Sequence, residues 1–193
     1  GVTALLASQF AQAAGPMQVV RLSSNLVVNP GGESGPATPD SAAQALPVPG
    51  WQVTGGFFTA AYNGFRWAPD PKDRTRASGA KFFVGCFAPA GQTVNSGTAT
   101  QDVSLAKWAT DIDKKAVRIS FSAELGGYNG TENRATAQIA FLDANKAPVG
   151  GRVRLVGPTY LQRQGVTRVE PRAAVVPVPA GARTARVILT GSR

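Results

Sequence analysis

The chain has 193 residues, a length that suits one domain, and its 43% hydrophobic content provides for a real core. It contains no histidine and one cysteine, which excludes Ser–His and Cys–His nucleophile pairs, His-ligated metals and any internal disulfide, and argues against a structural zinc site. The formal charge is +9, and beyond residue 144 nine Lys/Arg stand against a single acid, Glu170; these cations are scattered along apparent strands, which points to a solvated basic face, with a polyanion site as the alternative, and to no specific nucleic-acid site.

Residues 1–14, GVTALLASQFAQAA, are small and apolar and run into Gly15-Pro16. Ala11-Gln12-Ala13 has the small-x-small form of a signal-peptidase site. Residues 1–17 are therefore expected to be the remnant of an export signal, or else an N-terminal extension folded as a short helix. Export would place the protein in the periplasm, at the cell surface or outside the cell. No later run reaches the ~18 apolar residues of a membrane-crossing helix. The domain itself is expected to span 18–193.

NLVVNPGGE (25–33) reads as a short apolar strand stopped by Asn29-Pro30-Gly31-Gly32, and the Pro/Ala/Ser-rich stretch 34–49 as a surface loop. After Pro49-Gly50, WQVTGGFFTAAY reads as a strand, with Trp51 in the core. Residues 63–79 form a loop dense in charge that holds Phe65 and Trp67. KFFVGCF (81–87) is apolar throughout and short enough for a buried central strand, and Cys86 within it reads as an inert thiol. Thr98–Val103 is a further strand. In SLAKWATDIDKK, Leu105, Trp108 and Ile112 recur at helical spacing behind Ser104, which predicts one helical turn with Trp108 toward the core.

The clearest signal follows. Val117, Ile119, Phe121, Ala123 and Leu125 alternate with Arg118, Ser120, Ser122 and Glu124, and after a polar loop the alternation resumes at Ala135, Ala137, Ile139 and Phe141. Period two marks half-buried strands. The two read as a paired antiparallel hairpin whose Phe121 and Ile139 face one core. Strands are also expected over 152–156, 173–178 and 184–191, the last with Ala185, Val187 and Leu189 facing one way. About eight to ten short strands with almost no helix predict an all-β antiparallel sandwich.

NLVVNPGGE, PGW, TGGF, GAKFF, TATQDVSL, AELGGYNGTENRATAQIAFLDANKAPVGG and VPAGARTARVILTGSR together resemble a bacterial group of secreted galactose-binding-like jelly-roll domains of the carbohydrate-binding-module kind, and more distantly the F-box-associated sugar-binding sandwich. The resemblance runs over residues 25–193. It implies a jelly-roll sandwich and a non-catalytic module that binds carbohydrate or a related extracellular ligand. The alternatives it leaves open are a structural or adhesive surface domain with protein partners and an accessory domain of a glycoside hydrolase. It also implies a structural calcium ion: in similar modules a Glu closing the first strand joins a C-terminal Asp and backbone carbonyls around Ca²⁺, and Glu33 with nearby Asn29 matches that Glu. The other reading of Glu33 is a solvated acid beside a turn. Relatives continue past the position of Thr190 into an Asp-bearing segment and one more strand. The chain is accordingly expected to be truncated, with an exposed edge through which it self-associates.

A sugar site needs an aromatic face for the apolar side of a pyranose and polar groups converging on its hydroxyls. Two polar loops carry aromatics: Tyr62, Trp67 and Asp70 in one, and Tyr128, Asn129, Glu132 and Arg134 in the other. For Trp67 and Tyr128 the competing reading is a ring that pins its own loop. The acids show no catalytic motif, and no phosphate loop, nucleophile elbow or dinucleotide fingerprint is present.

Overall fold

The computed structural model describes residues 2–10, 18–21, 25–42, 44–75, 79–86 and 94–192. Its strands are β1 (Val2–Phe10), β2 (Gln18–Arg21), β3 (Gln52–Gly55), β4 (Phe58–Ala61), β5 (Lys81–Val84), β6 (Ser96–Ser104), β7 (Val117–Gly127), β8 (Arg134–Leu142), β9 (Val153–Val156), β10 (Arg168–Pro177) and β11 (Thr184–Ser192). Helix α1 (Ala109–Asp113) follows a 3₁₀ turn at Ala106–Trp108.

Every strand pairing is antiparallel. Four strands form one sheet in the order β10-β7-β1-β2, five form another in the order β3-β6-β11-β8-β9, and β4 pairs with β5 in a separate ribbon. The period-two pattern places the core between the larger sheets. Val117, Ile119, Phe121, Ala123 and Leu125 of β7 are buried in one cluster with Ala137, Ile139 and Phe141 of β8 and Ala185, Val187 and Leu189 of β11. Two sheets that bury their apolar faces against one another make the protein an all-β antiparallel sandwich.

Phe121 and Ile139 do share that core, both wholly buried, but their strands are not a hairpin. β7 pairs with β1 and β10, while β8 pairs with β11 and β9. The loop between them arches from one sheet to the other. Alternation fixes which face a strand buries and is silent on its neighbour, so an in-plane hairpin and a cross-core arch have the same sequence pattern.

Other elements also differ from expectation. Residues 2–10 form a strand and not a helix: β1 lies between β7 and β2 in the four-stranded sheet. The Ala11-Gln12-Ala13 triplet lies outside the described residues, as do Arg76, Ala77 and Ser78 of the charged loop and Phe87. WQVTGGFFTAAY breaks into β3 and β4, which belong to different sheets. Gly55 at the break has φ +62°, and a Cβ there would lie 2.4 Å from the Ser96 carbonyl oxygen, so only glycine lets the chain leave β6 at this point.

Residues 25–33 are irregular rather than a strand. The Gln101 side chain stands in for a strand partner: its Oε1 accepts from Val28 N at 2.7 Å and its Nε2 donates to Val28 O at 3.0 Å. β5, expected as a buried central strand, is half-buried along its length, and among the described residues β4 is its one strand partner. Trp51 is buried, whereas Trp108 is half-buried beside the core with the Lys107 ammonium 4.1 Å above its ring. Ser104 lies just outside the helical turn, where its Oγ accepts from Ala106 N at 3.4 Å. β11 is flanked by β6 and β8, and among the described residues the edges of the two larger sheets are β3, β9, β10 and β2. Pro171 and Pro177 lie on β10, where an absent N–H costs no ladder bond on the open side.

Candidate functional site

The loop leaving β4 is shaped by a small aromatic core of its own, Phe58, Ala60 and Phe65, with Trp67, Ala68, Phe82 and Val84 packed against it. Its return is a 3₁₀ turn at Pro71–Asp73, in which Asp73 N donates to Asp70 O at 2.9 Å. Asp73 is buried, and Arg168 at the start of β10 donates to its Oδ1 from Nε (3.1 Å) and Nη2 (2.9 Å). Thr75 Oγ1 donates to Glu124 Oε1 on β7. These two links tie the loop to the end of the four-stranded sheet from which the 128–133 loop departs.

In that second loop Asn129 takes a left-handed backbone, φ +40°, which asparagine tolerates better than most residues. It is locked to Thr167: Asn129 N donates to Thr167 Oγ1 at 3.1 Å, and that hydroxyl donates to Asn129 Oδ1 at 3.0 Å. Below it Arg163 is wholly buried. Its guanidinium donates to the carbonyls of Asn129 (2.9 Å), Thr131 (2.8 Å), Tyr128 (3.4 Å), Pro158 (2.8 Å) and Val166 (3.3 Å). Burial pulls its pKa down from the ordinary value and nearby Glu132 pushes it back; it remains a cation held by backbone dipoles.

The two loops meet. The rings of Trp67 and Tyr128 stand edge to face with centroids 6.5 Å apart at 85°, and both side chains are half-exposed. Trp67 rests on Phe65 (5.4 Å) and carries the Arg66 guanidinium 4.4 Å from its centroid. Arg66 is in turn held by Asp40, 3.3 Å from its Nε.

The other residues that the sequence singles out divide. Asn129 sits in the same loop as Tyr128, with its side chain committed to Thr167 and its residue exposed. Asp70 and Glu132 are exposed and Arg134 is half-exposed; no hydrogen bond or ion pair joins any of the three to Trp67 or Tyr128 among the described residues. Tyr62 is only 8% exposed, stacked on Phe82 at 4.6 Å and capped by the Arg74 guanidinium at 4.1 Å. Its ring is part of the loop's support, with little face left for a ligand. Arg66, Arg74 and Arg163 shape the site without a sequence signal, since each acts on a ring or a carbonyl that no spacing rule connects to it.

Glu33 and Asn29, the residues of the calcium expectation, are engaged in hydrogen bonds within their own turn and to the start of β5. Calcium takes six to eight oxygens, several from carboxylates, and no group of three or more Asp, Glu, Cys or His capable of holding a metal exists among the described residues. Glu33 accepts from the backbone N–H groups of Lys81 (3.1 Å) and Ala80 (3.3 Å). Asn29 is turned into its own loop: Oδ1 accepts from Ser34 N at 2.9 Å, Nδ2 donates to Pro49 O at 2.9 Å, and its carbonyl accepts from the Trp51 indole at 3.0 Å. Other carboxylates serve as ion-pair partners, Asp102 with Arg186 between β6 and β11, and Asp113 at the end of α1 with Arg183.

No family model matches the chain, and no curated protein matches it. Similar solved structures include the enzymatically active domain of tailspike protein 4 from bacteriophage CBA120, with a TM-score of 0.47 and 17% identity over 81% of this chain. The chain spans 19% of that tailspike chain. They also include TmCBM61 in complex with beta-1,4-galactotriose, with a TM-score of 0.41 and 15% identity over 89% of each chain. No helix among the described residues is long and apolar enough to cross a membrane.

Proposed function

We propose that the protein is a non-catalytic, extracellular carbohydrate-binding module whose platform is the Trp67–Tyr128 pair. The observation that carries this reading is the meeting of the two polar, aromatic-bearing loops at one end of the four-stranded sheet, with their rings in edge-to-face contact. Each ring presents an apolar surface next to polar side chains on a rigid support, which is what a pyranose needs: carbon-bound hydrogens stack on the ring while hydroxyls find donors and acceptors at its rim. Asn129 and Glu132 stand on the Tyr128 side and Asp70 on the Trp67 side as candidates for that rim, with Arg134 at the start of β8.

A site of this kind buries little area and leaves many hydroxyls hydrated. The expected dissociation constants are about 0.1–1 mM, or about −4 to −5.5 kcal/mol. Glycan-array screening followed by calorimetric titration tests the reading. Trp67→Ala and Tyr128→Ala are expected to abolish binding while melting within a few degrees of the wild type. Normal binding by both variants removes the platform, and loss of the fold in both shows that the rings only pin their loops.

A further inference from the structure

A second feature joins the 29–35 turn to the start of β5, and it is built around a positive charge. Lys81 Nζ donates to the backbone oxygen of Glu33 at 2.8 Å and also to that of Gly35. The Glu33 carboxylate returns the contact by accepting the N–H groups of Ala80 and Lys81. The approach is close: a Cβ at position 79 would lie 2.1 Å from Glu33 Oε1, so a larger residue there would displace the carboxylate. From the other side of the turn, Asn29 reaches Pro49 and the Trp51 indole. The clip therefore connects the ribbon of β4 and β5 to a tryptophan of the main core.

Carbonyl oxygens gathered in a turn beside a carboxylate are the ligands a hard cation takes. Here an ammonium, a compact charge with three donors on a flexible stem, already engages two of them. A divalent ion brought to the same oxygens would meet that charge at contact distance, and the lone carboxylate could not offset the repulsion. We infer that Lys81 is the resident cation of this turn, ordering residues 29–35 against β5 so that the fold requires no divalent metal there. This role of Lys81 is independent of the carbohydrate reading.

Thermal unfolding of the full chain, in EDTA and in excess calcium chloride, tests it with the wild type and Lys81→Met. Methionine keeps the apolar stem and removes the charge. The wild type is expected to melt at one temperature in both solutions, and Lys81→Met to melt about 2–8 °C lower in EDTA. A wild type that melts higher in calcium overturns the inference, as does a Lys81→Met protein that melts with the wild type in EDTA. Should Lys81→Met fail to fold, hydrogen exchange of the wild-type Ala80 and Lys81 amides decides the matter. Equal protection in EDTA and calcium supports a resident ammonium, and slower exchange in calcium refutes it.

Discussion

Arg163 donates to the backbone oxygen of Asn129 at 2.9 Å, although 34 residues separate them in the chain. The same guanidinium holds the carbonyls of Thr131 and Tyr128, so one buried cation sets the path of the loop that presents the Tyr128 ring. Its planar fork suits this task, because five N–H groups in fixed directions can reach several carbonyls at once. Arg163→Met would take this donor from the carbonyls of Asn129, Thr131 and the buried Pro158, at a cost of about 3 kcal/mol or more. Arg163→Lys should fall between the two, since one ammonium cannot span both the 128–131 and the 158–166 carbonyls. Urea denaturation of the three proteins measures this; equal midpoints would mean that water replaces the guanidinium without loss.

Phe121 and Arg118 lie on opposite faces of β7, the first wholly buried and the second exposed. Phe121→Ala removes a ring from the centre of the sandwich and is expected to cost about 3–5 kcal/mol. Arg118→Ala should stay within about 0.5 kcal/mol of the wild type. Comparable losses in the two variants would contradict the burial pattern on which the fold rests.

That pattern is the part of the structure most legible in the sequence. The alternation from Val117 to Leu125 and from Ala137 to Phe141 names the buried residues correctly, with Ala135 half-buried at the strand's start, because burial is a property of each strand's own face. It could not reveal that β7 and β8 sit in different sheets, since pairing depends on partners such as β1 and β10 far away in the chain. Val27 and Val28 look like strand residues, yet the Val28 backbone is served by the side chain of Gln101, a contact that no periodicity encodes. At the candidate site, Trp67 and Tyr128 stand out as aromatics within polar loops. The groups that position them do not stand out, because Arg163 and Arg168 act through carbonyls and a carboxylate brought near only by the fold.

Asp102 and Arg186 face one another across β6 and β11, with hydrogen bonds of 2.7 and 2.9 Å. The bond from Arg186 holds the Asp102 carboxyl below its ordinary value of 3.8, reinforced by the charges of Arg186 and Lys146 and opposed by partial burial. With the folded value below the unfolded one, the unfolded chain binds the proton first. The pair's stabilisation is therefore complete above the ordinary carboxylate value and disappears as pH falls through the folded value. Both side chains are about a third exposed (33% and 38%), so the effect is a few tenths to about 1 kcal/mol. Asp102→Asn should be less stable than the wild type by that amount near about pH 6, and the gap should narrow as pH falls below the ordinary carboxylate value. A deficit that persists in acid would assign the loss to packing instead of charge.

Arg66 decides how open the Trp67 ring is. Its guanidinium lies 4.4 Å from the ring centroid, its side chain is 62% exposed, and Asp40 holds it from behind at 3.3 Å. A cation over an exposed aromatic face is worth about 0.5–1 kcal/mol. On the carbohydrate reading, a pyranose stacking on that face must first displace the guanidinium, so the interaction is subtracted from binding. Arg66→Ala should then tighten glycan binding by about two- to fivefold, the same free energy expressed as an affinity ratio. Removing the Asp40 tether loosens the same cover, and Asp40→Asn should change affinity less than Arg66→Ala because the cation stays over the ring. Isothermal titration of the wild type and both variants against one glycan reads the order directly. If Arg66→Ala instead weakens binding, the guanidinium touches the ligand, and the open surface of the platform is the Tyr128 ring.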